Sequence, residues 1–204
     1  MVDMASTVGT ADDSARRAAR RDSGRRAARR GSAGGWIFAV VLVLVSIALF
    51  VFLETAVRFE TQLAQWAISA ALDTGTRVTG DGTSLLVGIG GTRAFTLRVG
   101  IACSVVLILV PFLLVAAAML ASGRASVMRA LPAVVIGAAA LVGVNMARLV
   151  LIAFVTMKDG LDGFGWAHTV YGSAVALIGL TLVTAAFIGV MAIGRRRSRE
   201  KTLS

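Results

Sequence analysis

Apolar residues run almost unbroken through four stretches of the chain: Trp36 to Leu53, about Ile101 to Ala121, about Pro132 to Thr156, and about His168 to Ile193. At 1.5 Å of rise per residue, helices of such lengths reach across roughly 30 Å of hydrocarbon. The pattern predicts four membrane-crossing helices and a mainly α, polytopic membrane fold. Trp36 and Trp166 stand at opposite ends of their stretches, where indoles settle at the lipid headgroups.

Between the first two stretches the pattern changes twice. From Glu54 to Leu72 the spacing puts Phe59, Leu63, Trp66, Ala67 and Ala70 on one helical face, which predicts a helix that lies on the membrane or extends the first span. Then Leu85 to Ile89, Gly90-Gly91 and Ala94 to Val99 read as a short β-hairpin, with Arg77 to Thr79 as a candidate third strand. This element leads straight into Cys103 at the mouth of the second span.

Composition supports the lipid environment. Of the 204 residues 57% are hydrophobic, more than a soluble core of this size can hide. The net charge of +10 would by itself suggest nucleic acid, but its placement argues otherwise. Of 21 Lys and Arg, eight precede Trp36, five follow Gly194, and Arg124 and Arg129 lie between the second and third stretches. An alternating chain puts all three blocks on one side, which the positive-inside rule makes cytoplasmic. The opposite side is nearly balanced, with Glu54, Glu60, Asp73, Asp81, Asp159 and Asp162 against Arg58, Arg77, Arg93, Arg98 and Lys158.

Residues 1–35 contain a near-repeat, Ser14-Ala-Arg-Arg-Ala-Ala-Arg-Arg followed by Ser23-Gly-Arg-Arg-Ala-Ala-Arg-Arg. The expectation is a disordered tail that sets topology and touches anionic lipid, with no nucleic-acid partner. It does not read as a twin-Arg export signal, because the Arg pairs recur and no small-residue cleavage site follows the first apolar run. The expected organisation is a basic tail (1–35), a membrane domain (36–194) and a second basic tail (195–204). Both tails are expected on the cytoplasmic side of a bacterial plasma membrane.

Three polar residues fall in the outer third of their spans: Cys103 opening the second, Arg148 late in the third, and His168 opening the fourth. An ionised side chain in hydrocarbon costs about 2.5 to 3.5 kcal/mol on insertion scales, so Arg148 needs a reason. Each residue alone has a bland reading: a cysteine packs, a histidine at a helix start sits in the interface, an arginine snorkels. Yet the chain has one Cys, one His and one Arg within its spans, and all three share a depth. Such a set suits thiol acyl transfer. Arg148 would stabilise the thiolate or an oxyanion, and His168 would move protons. Ser104 and Asn145 are candidates for substrate binding or for support, Asn145 sharing a helical face with Arg148. Asp159 and Asp162 precede His168 and could orient its ring. A single cysteine excludes an intrachain disulfide and a multi-thiolate metal site, and no metal or other cofactor is expected.

The strings Ala102-Cys103-Ser104, Asn145-Met-Ala-Arg148 and His168-Thr-Val-Tyr-Gly172 stand in this order on successive spans. Over residues 36 to 193 the chain resembles the exosortase and archaeosortase family of membrane-embedded cysteine transpeptidases. The resemblance implies Cys103 as nucleophile, with Arg148 and His168 completing the site. It implies a secreted substrate ending in a short motif, a hydrophobic helix and a basic tail, cut on the outer face and passed to a surface acceptor. The chain carries Val105 where the family usually shows Gly, and many members have more spans. A groove for a substrate helix would then call for a second copy or a partner membrane chain. The alternative is a non-enzymatic scaffold or assembly factor of the envelope, with the three residues as a polar packing cluster. A transporter is less attractive, since the spans lack acidic residues and no inverted repeat is evident.

Overall fold

The computed structural model describes residues 33–91, 93–123 and 125–203, with backbone alone at 161 and from 194 onward. The basic tail up to residue 32, Arg124 and the side chains of the C-terminal basic run lie outside the described residues.

Helix α1 (Ala33–Val51) passes through Phe52 into α2 (Leu53–Leu72). Hydrogen bonds cross the joint, Phe52 donating to the Ala48 carbonyl at 2.8 Å and Ala56 to the Phe52 carbonyl at 3.0 Å, so α2 extends the first helix. A three-stranded antiparallel sheet follows, β1 (Gly75–Val78), β2 (Ser84–Ile89) and β3 (Phe95–Arg98), with β2 in the centre. The expected hairpin is β2–β3, and its candidate third strand is β1. Gln65 and Thr76 each donate to the other's carbonyl and tie α2 to β1. Arg93 donates to the Lys158 carbonyl at 2.7 Å and ties the β2–β3 connection to the fourth helix.

A 3₁₀ turn (Ile101–Cys103) leads into α3 (Val106–Ala121), followed by α4 (Val127–Trp166). Helix α4 is broken at Gly160, whose φ of 73° and ψ of −151° suit a residue without a β-carbon. A π turn (Ala167–Tyr171) joins α4 to α5 (Gly172–Leu203).

Among the described residues three helices are long and apolar enough to cross a membrane, over Ala33–Val51, Val127–Gly160 and Asp162–Ile193. The chain is a mainly α, multi-pass membrane protein. The expected second span is shorter than its apolar run: α3 has 16 residues, about 24 Å of helix. The five residues before it, expected to be helical, form the cysteine turn and its exit instead. His168 likewise lies inside a continuous helical stretch rather than at a helix start.

The face of α2 that packs against the rest of the protein is not the one that carries Phe59 and Trp66. Its buried residues are Val57, Glu60, Thr61, Ala64 and Ile68, whereas Phe59 is 62% and Trp66 75% exposed. An amphipathic pattern marks where apolar groups lie. Around membrane helices bulky residues favour the outside and small ones the contacts, so the apolar stripe is not the packed one.

Two apolar clusters result. One joins α1, α3, α4 and α5 through Leu42, Phe112, Leu120, Leu141 and Phe187, with the Phe112 and Phe187 rings edge to face at 5.5 Å. The other joins α2, the sheet and α4 through Ile68, Leu85, Val87, Val99, Leu149 and Ile152. Cys103 belongs to this second cluster.

Candidate active site

Cys103 ends the 3₁₀ turn, its N–H donating to the Gly100 carbonyl at 2.9 Å. Ser104 then adopts an extended conformation, and the chain becomes helical again at Val105. The thiol is 4% exposed and lies 3.3 Å from Nδ1 of His168. The π turn supplies the geometry on the other side, since it widens the helix locally and re-aims the side chains it carries. The imidazole stacks on Phe164, with centroids 5.5 Å apart and planes within 12°. Among the described residues no hydrogen bond links the ring to Asp159 or Asp162, so Phe164 orients it.

Arg148 is 5% exposed and donates from Nη2 to the Ala102 carbonyl at 3.2 Å, on the residue before the cysteine. Its Nε is buried and has no hydrogen-bond partner among the described residues. Asn145, fully buried, donates from Nδ2 to the Cys103 carbonyl at 2.9 Å, and its Oδ1 is unpartnered. Thus Cys103, Asn145, Arg148 and His168, drawn from three separate elements, meet around one turn.

Ser104 does not face the same space. Its hydroxyl donates to Glu60 Oε2 at 2.9 Å and its residue is 1% exposed, which makes it a supporting group in this arrangement. By its place in the chain Glu60 reads as one of the outer counter-charges. The structure puts it at 2% exposure, accepting from Ser104 Oγ, from the Val105 N–H at 2.9 Å, and from Asn145 Nδ2. Its signal in the sequence is the run Val57, Thr61, Ala64, Ile68, small or branched residues at helical spacing whose stripe includes position 60.

The hydrogen-bond capacity left open at this turn belongs to a donor, Arg148 Nε, and an acceptor, Asn145 Oδ1. The site therefore brings together a thiol, an imidazole in contact with it, and a buried guanidinium.

The sequence matches the model of a family described as transmembrane exosortase (Exosortase_EpsH) over residues 23–185. The chain belongs to that family, and a membrane transpeptidase-like role in general follows from membership. No curated protein and no solved structure matches the chain.

Proposed function

We propose that this chain is a thiol peptidase or transpeptidase that cleaves C-terminal sorting signals of secreted proteins. It would act on the outer face of a bacterial plasma membrane, with both chain ends cytoplasmic. The observation that carries the reading is the 3.3 Å contact between Cys103 Sγ and His168 Nδ1, beside a buried Arg148 with one donor unused.

In this reading the Cys103 thiol gives its proton to His168 while sulfur attacks the scissile carbonyl carbon, and the oxyanion forms against Arg148. The C–N bond then breaks, the proton passes from His168 to the leaving amine, and a thioester remains on Cys103. An acceptor nucleophile, or water, adds to the thioester and gives its proton to His168. The C–S bond then breaks, and the sulfur takes the proton back from His168, which restores the thiol. Asn145 Oδ1 suits the backbone N–H of the bound peptide.

The substrate class is a protein with a short motif, a hydrophobic helix and a basic tail, and the basic ends of the chain would bind anionic lipid. A second copy or a partner membrane chain would complete the groove for the substrate helix. The test is processing of candidate sorting-signal proteins in cells carrying wild type, Cys103→Ala, Arg148→Ala or His168→Ala, with membrane levels measured in parallel. Loss of cleavage in all three at normal abundance is expected. Unchanged cleavage with Cys103→Ala removes the thiol mechanism and leaves the polar cluster as packing.

A further inference from the structure

A buried carboxylate is costly to desolvate, and Glu60 sits where it has to be compensated by specific partners. Three donors from two other elements converge on it: Ser104 Oγ and the Val105 N–H from the segment that leaves Cys103, and Asn145 Nδ2 from α4. Asn145 spends the same amide group on the Cys103 carbonyl, so one chain of contacts runs from Glu60 through Asn145 to the nucleophile's own backbone. Val105 is the N-cap of α3, so the carboxylate also lies at that helix's N-terminus, where negative charge is favoured. On the other side of the turn Arg148 holds the Ala102 carbonyl. Burial pushes the Glu60 carboxyl up, and the bonds from Ser104, Val105 and Asn145, followed by the Arg148 charge, oppose that.

We propose that Glu60 is the positioning residue of this site: it fixes the Cys103–Val105 segment against α4 and supplies the negative charge that balances Arg148. It touches neither the Cys103 sulfur nor the space beside His168 and acts through Ser104, Val105 and Asn145. Ser104, the extended residue between the 3₁₀ turn and the helical Val105, is where the chain turns to meet the carboxylate. The arrangement gives the valine after Ser104 a role open to any residue but proline, because its backbone N–H is the group used. The assignment rests on Cys103 being the nucleophile of the proposed reaction, but its test needs no substrate.

The charged and titratable groups that face Cys103 are Glu60 from α2, Arg148 from α4 and His168 from the π turn. Arg148 favours the thiolate and Glu60 opposes it, so removing either has an effect of opposite sign. The experiment uses the full chain in detergent as wild type, Glu60→Gln, Arg148→Gln and the double variant, with Glu54→Gln as an exposed control on the same helix. Thermal midpoints are measured, together with the rate of Cys103 alkylation by iodoacetamide at pH values on either side of the free-thiol value of about 8.5. Each single variant is expected to lower the midpoint, and the double variant to recover much of the loss, because no buried charge is then left unpaired. The alkylation profile should move to lower pH in Glu60→Gln and to higher pH in Arg148→Gln, with Glu54→Gln like wild type. If a single variant fails to accumulate, accumulation of the double variant supports the pairing, and failure of both overturns it. Additive losses in midpoint, or a Glu60→Gln profile that superimposes on wild type, also overturn the proposal. Activity that survives Cys103→Ala would instead sink the peptidase reading and leave these measurements standing.

Discussion

Arg148 and Gly172 face each other across the α4–α5 contact so closely that a β-carbon at position 172 would come 3.0 Å from Arg148 Nε. The same carbon would meet the Ala167 carbonyl oxygen at 3.0 Å and Ile152 Cδ1 at 3.3 Å. The missing side chain lets the first residue of α5 pass over the guanidinium without displacing it. Gly172→Ala is therefore expected to reach the membrane at near-normal levels and to cut processing about tenfold or more, since small misplacements of catalytic groups are costly. Steady-state processing with abundance controls measures this.

Phe164 has a comparable role toward His168. Its ring is the surface on which the imidazole lies, 5.5 Å away and nearly parallel. Phe164→Ala should free the imidazole and reduce processing by roughly tenfold, while Phe164→Tyr keeps the stack and most of the rate. Both variants are compared at equal membrane abundance.

Helices α4 and α5 approach closely at Gly179, where a β-carbon would fall 2.4 Å from Val144 Cγ1. Gly179→Ala forces the two helices apart and should cost about 1 to 3 kcal/mol, as overpacking of a tight contact does. Gly189→Ala, in the same helix but with open space around it, should be neutral by comparison. Thermal unfolding in detergent distinguishes the two.

The β1–β2 turn depends on one carboxylate. Asp81 accepts from the Thr79, Thr83 and Ser84 hydroxyls and from two backbone N–H groups. These bonds favour the ionised form and hold Asp81 well below the usual carboxylate range, with the Thr79 hydroxyl the largest influence. A depressed folded-state value stabilises the turn above the unfolded value of about 3.9, and that stability is lost as pH falls below it. Limited proteolysis at the turn should stay slow at neutral pH and accelerate in acid, and Asp81→Ala should be cut quickly at both.

The site was legible in the sequence to the extent that its members are unique. Cys103, Arg148 and His168 stand out because each is the single residue of its kind in an apolar setting, and helix order alone brings them to one end of the bundle. Glu60 did not stand out. Counting charges by loop assigns a carboxylate between spans to the water, and only tertiary contact with Ser104 and Asn145 shows it turned inward. Neither the π turn that aims His168 nor the 3₁₀ turn that shortens α3 carries a local sequence signal, because both are imposed by the contacts made around them. The strands were readable because their alternation and the Gly90-Gly91 pair are local features.

A thioester on Cys103 is the intermediate of the proposed reaction, and trapping it is the most direct test. The full chain is incubated with a sorting-signal peptide, quenched in acid and weighed intact, with and without hydroxylamine, which cleaves thioesters. Wild type should carry an added mass equal to the acyl fragment upstream of the cut, released by hydroxylamine and absent from Cys103→Ala. Cleavage of the peptide by Cys103→Ala, or an adduct at another residue, would contradict the account.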